Sequence, residues 1–367
     1  MPQPPRIAIN GRFLTQFVAG VQRFAQETLR AMDRLLEEPE YRELKGRIEL
    51  LAPQAARDLP LANIPLRRCG RRSGYLWEQV EFPRAASGAL LLNLCMLGPV
   101  AMRRQVVVVH DAIVKAMPHN FNLPFRAAYG FFMPLLLRRA DCIVTVSEFS
   151  RREIGKYYGV KTDTMLICHE GGEHILAAPA DAAILKRLDL SGRPYFLCVG
   201  GSSPNKNFPN ILAALNATGL HDAPLVLTGN RAPKLHHHIA DVSSENVIAT
   251  GQITDGELRA LYEGALALVY PSRYEGFGLP PLEAMNCGCP AIISDQAALV
   301  EVCGDAALQC GIDDVAGLAR QMRAVYADQA LREKLRQAGH ERARRFTWTH
   351  TARALLQSCL TIAAGRA

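Results

Sequence analysis

Short unbroken runs of valine, isoleucine and leucine recur along this chain. VVVVH (106–110), CIVTVS (142–147), YFLCV (195–199), LVLT (225–228) and LALVY (266–270) show little polar alternation. A strand with one wet face alternates, whereas a strand covered on both faces does not. Such runs, separated by helical patterns, demand parallel sheets with helices on both sides, which is the α/β class. Further strands are expected near Ile7–Ile9, Ile48–Leu51, Leu90–Leu94, Met165–Cys168, Val247–Thr250, Ala291–Ser294 and Ala307–Gln309. Helices are expected over Val21–Leu35, Glu148–Tyr158, Asn207–Ala217, Asp255–Glu263, Pro280–Cys287 and Ala316–Arg345.

A length of 367 residues with 49% hydrophobic residues suits two domains. Strand character lapses over 172–192, and Ser191-Gly192-Arg193-Pro194 is a turn signal before a fresh strand. The expected domains are therefore 1–175 and 176–345. A ligand would sit at the carboxyl ends of their strands. No apolar run reaches the roughly 20 residues of a membrane span. The start, MPQPPRIAIN, lacks the layout of a signal peptide. The ten cysteines show no paired framework, and Cys95, Cys142 and Cys198 fall in apolar runs. They read as reduced core thiols of a cytoplasmic protein. Cys287-Gly-Cys289 fits neither C-x-x-C nor zinc spacing, so it too reads as core.

The net charge of +7 lies wholly in the first half, since residues 1–174 carry 24 Lys and Arg against 17 Asp and Glu. Arg67-Arg68-Cys69-Gly70-Arg71-Arg72 and Arg103-Arg104 are the densest spots. The bias favours an anionic partner or membrane surface, although a solvated face is the simpler account. The segment FRAAYGFFMPLLL (125–137) reads as a helix buried under a sheet in preference to a membrane-docking one. Consecutive histidines diverge on a helix, so His236-His237-His238 reads as surface and not as a metal site.

The most telling stretch is SRYEGFGLPPLEAMNCGCP (272–290). A strand leads into it, and Pro280-Pro281 mark a helix start. The backbone amides of Gly276, Phe277, Gly278 and Leu279 then crowd a helix N-terminus, which attracts anions, phosphates above all. The glycines let a ligand approach the backbone closely. Glu275 and Glu283, expected just before and within the first turn, cannot bind phosphate. They can accept hydrogen bonds from hydroxyls. A nucleotide sugar has both parts: a diphosphate for the amides, and hydroxyls for the carboxylates.

The string Glu275-Gly-Phe-Gly-Leu-Pro-Pro-Leu-Glu283 resembles the donor motif of retaining glycosyltransferases of family 4, which have the GT-B fold of two Rossmann-like domains. The likeness extends along nearly the whole chain. Gly20-Val-Gln-Arg-Phe24 resembles the family's glycine loop, and His110-Asp111 its active-site histidine position. Val146-Ser-Glu-Phe-Ser150 with Arg151 fits its next signature, and Asn205-Lys206-Asn207 resembles the phosphate-lysine segment. Phe346-Thr-Trp348 resembles the point where the last helix, 346–367, returns to the N-terminal domain. The resemblance implies a donor domain at 176–345 and an acceptor-side domain at 1–175. It implies catalytic roles for His110, Lys206 and Glu275. Donor contacts are implied for Gly20, Gly200, Gly201, Lys206, Arg273, Glu275, Gly276 to Leu279, and Glu283. The chain departs from the family in lacking an arginine within Gly200–Asn205, and in His169-Glu-Gly-Gly-Glu-His174 where Asn-Gly-x-Asp is commoner.

The function so implied is transfer of a hexose, with mannose from GDP-mannose the weak preference, from a nucleotide sugar to a glycan or polyprenyl-diphosphate-linked saccharide in polysaccharide biosynthesis. No metal, other cofactor or nucleic-acid partner is expected. The location implied is cytoplasmic, with peripheral docking on the inner membrane face. A GT-B-fold sugar-nucleotide epimerase, or a non-catalytic sugar-nucleotide-binding partner, is the alternative. A dinucleotide dehydrogenase is disfavoured, because Asn10-Gly-Arg-Phe-Leu14 stands where G-x-G-x-x-G would follow the first strand.

Overall fold

Thirteen strands form two sheets among the described residues, and every pairing is parallel. The computed structural model describes residues 4–200, 203–229 and 246–365. The histidine run 236–238 and Gly201 lie outside them. The chain divides into two units: residues up to Glu170 together with the chain from Trp348 onward, and Gly171–Thr347.

The first unit holds β1 (Ile7–Asn10), β2 (Ile48–Ala52), β3 (Leu66–Arg68), β4 (Leu90–Asn93), β5 (Gln105–Val108), β6 (Cys142–Thr145) and β7 (Met165–Ile167). Their order across the sheet is β3-β2-β1-β4-β5-β6-β7. Every residue of β1, β4, β5 and β6 is buried, which is why these strands read as continuous apolar runs. No apolar run marks β3. It is three residues long, pairs only with β2 among the described residues, and has two exposed arginines. Edge strands are kept short and charged because an exposed apolar edge invites aggregation.

The second unit holds β8 (Phe196–Val199), β9 (Leu225–Thr228), β10 (Val247–Gly251), β11 (Ala267–Tyr270), β12 (Ala291–Ser294) and β13 (Leu308–Cys310). Their order is β10-β9-β8-β11-β12-β13. The Phe208–Thr218 and Val315–Ala327 helices cover one face, with Phe208, Ile211, Leu215, Leu318 and Met322 packed on Phe196, Leu225, Val269 and Ile292. Both sheets are thus doubly wound α/β layers, as the strand runs require.

Two helices differ from expectation. The helix expected over Ala316–Arg345 is two, Val315–Ala327 and Gln329–Ala343. Asp328 breaks it: its backbone is extended, and its side chain accepts from Leu331 N at the start of the second helix. A short polar side chain that can bond the backbone favours a cap over a helix interior. The Trp348–Ala363 helix lies in the first unit, where it packs along Gly20–Leu35. The Leu123–Leu137 helix buries Tyr129, Met133, Leu136 and Leu137 but leaves Leu123 at 72% and Phe131 at 63% exposure. It is half-covered where burial was expected. No helix among the described residues is long and apolar enough to cross a membrane.

Candidate functional site

An open parallel sheet leaves a crevice where strand order reverses, outside the carboxyl ends of the two strands that meet there. In the second unit those strands are β8 and β11. The chain leaves β8 through Gly200, makes a tight turn over Pro204–Lys206, and enters the Phe208–Thr218 helix from a left-handed Asn207. It leaves β11 through Pro271–Gly278 and enters the Leu279–Asn286 helix. Gly200 has φ +85°, and a Cβ there would lie 3.1 Å from Lys206 Cε. The glycine therefore lets the lysine lie back across its own loop. Gly278 has φ +126°, and a Cβ would press to 2.8 Å from Leu299 Cδ2. That turn aims the chain into the helix.

Lys206 and Glu275 meet here. Lys206 Nζ is 2.7 Å from Glu275 Oε1. It also donates to the Tyr270 hydroxyl and lies 4.5 Å over the Tyr270 ring. Both side chains are about 85% covered, at 15% and 14% exposure. Asn205 fastens the two loops together: its Nδ2 donates to Tyr274 O at 3.0 Å and reaches Glu275 Oε1 at 3.4 Å, and its carbonyl accepts from Arg273 N at 2.7 Å. Burial, and next the negative Glu275, push the Tyr270 hydroxyl well above its ordinary range, so it stays protonated. The ammonium has three N–H donors. Among the described residues Tyr270 and Glu275 engage two of them, which leaves one for a ligand oxygen.

Glu283 is placed differently from expectation. The helix begins at Leu279, so Glu283 falls in its second turn, and no acidic residue occupies the first. It is buried, with Oε2 accepting from the Tyr262 hydroxyl at 3.0 Å and Oε1 3.0 Å from His174 Nε2. The helix dipole does not explain such a residue; the Tyr262 hydroxyl bonds it, and His174 lies against its other oxygen. Burial and the Glu283 charge push the Tyr262 hydroxyl well up, so it too remains a donor. Arg273 turns to Asp313, with Nη2 to Oδ1 at 2.5 Å, so its guanidinium does not join Lys206 and Glu275. Phe277 packs edge-on against Phe346, their ring centres 5.8 Å apart.

Two expected residues belong to the first unit. Gly20 opens the Gly20–Leu35 helix, where a Cβ would meet nothing within 4 Å. His110 follows β5 and is 4% exposed. Its Nε2 is 3.0 Å from Leu94 O and its Nδ1 is 3.4 Å from Glu170 Oε1. Phe24 stands edge-on to the ring with centroids 4.6 Å apart, and Trp348 in turn packs on Phe24. Both ring nitrogens already face acceptors. Ser147 caps the Glu148–Tyr158 helix by accepting from Ser150 N, so that signature does local structural work.

Sequence reasoning missed Tyr270, Tyr262, His174 and Glu170. The unusual HisGluGlyGlyGluHis segment was the one visible signal for Glu170 and His174, which stand by His110 and Glu283; nothing marked the two tyrosines.

Comparison with known proteins places this geometry. Residues 182–342 match the family described as Glycosyl transferases group 1. The O-antigen chain mannosyltransferase B of Escherichia coli is 32% identical over 263 residues, 68% of each chain. The chain is a group 1 glycosyl transferase. The serotype-specific mannosyltransferase WbdA of Escherichia coli is 28% identical over 351 residues, 89% of this transferase, which spans only 42% of WbdA. Among solved structures, WaaG, a glycosyltransferase involved in lipopolysaccharide biosynthesis, superposes with a TM-score of 0.73 at 14% identity, covering 96% of this chain and 99% of that one. Sucrose-phosphate synthase from Thermosynechococcus elongatus gives 0.74 at 17% identity, covering 98% and 100%. Anabaena HepE, in complex with UDP and glucose, gives 0.70 at 16%, covering 96% and 99%. The transferase has the GT-B fold of these neighbours.

Proposed function

We propose that this transferase moves mannose from GDP-mannose to a hydroxyl of a glycan or polyprenyl-diphosphate-linked saccharide in polysaccharide biosynthesis, with retention at the anomeric carbon. The observation that carries the reading is the Lys206–Glu275 pair at the crevice between β8 and β11. A cation beside a carboxylate suits a ligand that is anionic at one end and rich in hydroxyls at the other. The names of the relatives support mannose and O-antigen chains.

In the step so envisaged, the bond between the anomeric carbon and the diphosphate oxygen breaks. Charge grows on the departing diphosphate, and the free N–H of Lys206 meets it. The acceptor oxygen bonds to the anomeric carbon on the face the diphosphate leaves, and its proton passes to a diphosphate oxygen. No carboxylate nucleophile is needed. Glu275 holds Lys206 and accepts from a sugar hydroxyl. The buried Glu283, bonded by the Tyr262 hydroxyl, has lone pairs left for a second hydroxyl contact.

Docking on an anionic membrane face is the further part of the reading. The basic half is partly neutralised, with Arg67 on Glu49 and Arg68 on Asp58. Arg71, Arg72, Arg103 and Arg104 stay exposed. Salt-sensitive flotation with anionic but not neutral liposomes is the expected behaviour; indifference to lipid charge overturns it.

The deciding experiment screens GDP-mannose, UDP-glucose and dTDP-sugars for nucleoside diphosphate release with a mannoside acceptor, and assigns the product anomer by NMR. GDP release with an α-linked product is expected. Release from none of the donors sinks the transfer reading, and an inverted product sinks retention alone.

A further inference from the structure

A helix packed on a sheet ordinarily turns an apolar side inward and leaves a polar side to water. The Leu123–Leu137 helix does not. Leu123, Ala127 and Phe131 are all exposed, and residues four apart stand one above another on one side of a helix. Leu123 and Phe131, with Leu76, are the three most exposed large apolar side chains among the described residues. Leu76 lies close by, because the ring of its neighbour Tyr75 stacks on Phe132 of the helix, with centroids 6.2 Å apart and planes 17° from parallel. Apolar side chains exposed singly are ordinary, whereas a clustered set marks an interaction surface.

The charge around this ridge has one sign. Residues 112–140 hold Lys115, Arg126, Arg138 and Arg139 and no Asp or Glu. Lys115 and Arg126 line an open cavity of about 480 Å³, together with Val114, Pro118, Leu123 and Ala127. Leu123 and Ala127 belong to the ridge, so the cavity opens beside it. Among the described residues neither the Lys115 ammonium nor the Arg126 guanidinium bonds an oxygen. Towards the other end of the helix Arg138 and Arg139 are exposed. Arg139 Nη1 donates to Val100 O at 3.1 Å, which ties that end to the loop carrying Arg103 and Arg104.

We infer that the Leu123–Leu137 helix is the element that enters an anionic lipid surface, with a lipid phosphate held by Lys115 and Arg126; this rests on the docking part of the reading above. An anionic phospholipid answers both features. Its phosphate neutralises the two cations, and its acyl chains cover Leu123, Ala127 and Phe131. A free phosphate would use the cations and leave the ridge wet. A second copy docked through the same face would bring two sets of these four cations together, and like charges repel. At 15 residues the helix is too short to span a bilayer, so it would lie in the interface.

The test uses the full chain and vesicles of phosphatidylcholine with or without phosphatidylglycerol. Phe131→Trp places an indole on the ridge, where the native Trp77 and Trp348 are buried. Its emission should shift to the blue on phosphatidylglycerol vesicles and be quenched when the acyl chains carry bromine. Inorganic phosphate should leave the emission unchanged; an equal shift with phosphate alone overturns the inference. Lys115→Gln combined with Arg126→Gln should weaken partitioning about thirtyfold, from two basic residues at about 1 kcal/mol each. Partitioning within twofold of wild type overturns the lipid-phosphate site. Leu123→Ser needs no reporter and should weaken partitioning about tenfold; an unchanged value overturns insertion of the ridge. Flotation on anionic vesicles without bromine quenching overturns the inference and leaves docking through the other arginines standing. No flotation at all overturns the docking reading and the inference with it. A blue shift that grows with protein concentration in the absence of lipid marks self-association and overturns it as well.

Discussion

Replacing Lys206 by alanine removes one ammonium and three N–H donors from the crevice between β8 and β11. Two of those donors are engaged in the unliganded protein, by Tyr270 and by Glu275 at 2.7 Å; the third is the one proposed to meet the diphosphate. A hydrogen bond to a charged partner contributes about 1.5–3 kcal/mol. If that contact strengthens as the leaving group gains charge, its loss lowers kcat by about ten- to one-hundred-and-fifty-fold. The same substitution strands Glu275 at 14% exposure. Breaking a fully buried pair costs about 3–5 kcal/mol, and the residual solvent access here should hold the cost below that range. Glu275→Gln separates the two effects. It also breaks the ion pair, yet it leaves the lysine free for the phosphates. Calorimetry with bare nucleoside diphosphate should therefore show weaker binding for Lys206→Ala and undiminished binding for Glu275→Gln, while transfer falls in both. A Lys206→Ala enzyme with kcat within twofold of wild type would refute the reasoning. So would equal loss of diphosphate binding in the two variants, because the lysine would then be merely a partner for the glutamate.

Catalysis should tolerate EDTA, since Lys206 supplies the charge that the leaving group needs; activity lost to the chelator and restored by magnesium or manganese contradicts this. Thermal stability should fall as pH rises above about 9. Burial raises the thiols of Cys142 and Cys310 from near 9 to about 11, and those of Cys168, Cys198, Cys289 and Cys303 to about 12. The unfolded chain releases these protons first, so the stability is fully present below the unfolded value and is lost as pH climbs toward the folded ones. Each thiol contributes a slope of about 1.4 kcal/mol per pH unit, and melting temperatures that stay level between pH 9 and 10 would contradict the burial argument.

The fold was legible because its strands are buried on both faces. Val106–Val109, Cys142–Thr145 and Phe196–Val199 carry their signal in every residue, so no partner had to be known to recognise them. β3 was illegible for the opposite reason. Leu66–Arg68 has one neighbour and two exposed arginines, and it is a strand only because β2 offers it hydrogen bonds. The break at Asp328 shows the limit of helical periodicity. Apolar spacing continues through Asp328, and only the competition between its side chain and the helix ladder stops the helix.

The site divides along a related line. Lys206 and Glu275 were legible because loops leaving adjacent strands end on them, so a local string in each loop suffices. Their supporting residues were not. Tyr270 reads as the last apolar residue of a buried strand, and Tyr262 as a core position of the Asp255–Gly264 helix. Each is nonetheless the hydroxyl that orients a charged side chain, Lys206 in one case and Glu283 in the other. A buried tyrosine looks the same in a sequence whether its hydroxyl serves packing or a ligand site. What distinguishes it is the requirement that a buried hydroxyl find a partner: Tyr270 accepts from Lys206, 64 residues away, and Tyr262 donates to Glu283, 21 residues away. Among the described residues the requirement is not met everywhere: Glu78 Oε2 and the Tyr41 hydroxyl are among the buried side-chain atoms with no hydrogen-bond partner. Glu275 and Glu283, by contrast, each meet a neighbouring donor and keep lone pairs for the hydroxyls of the proposed donor sugar.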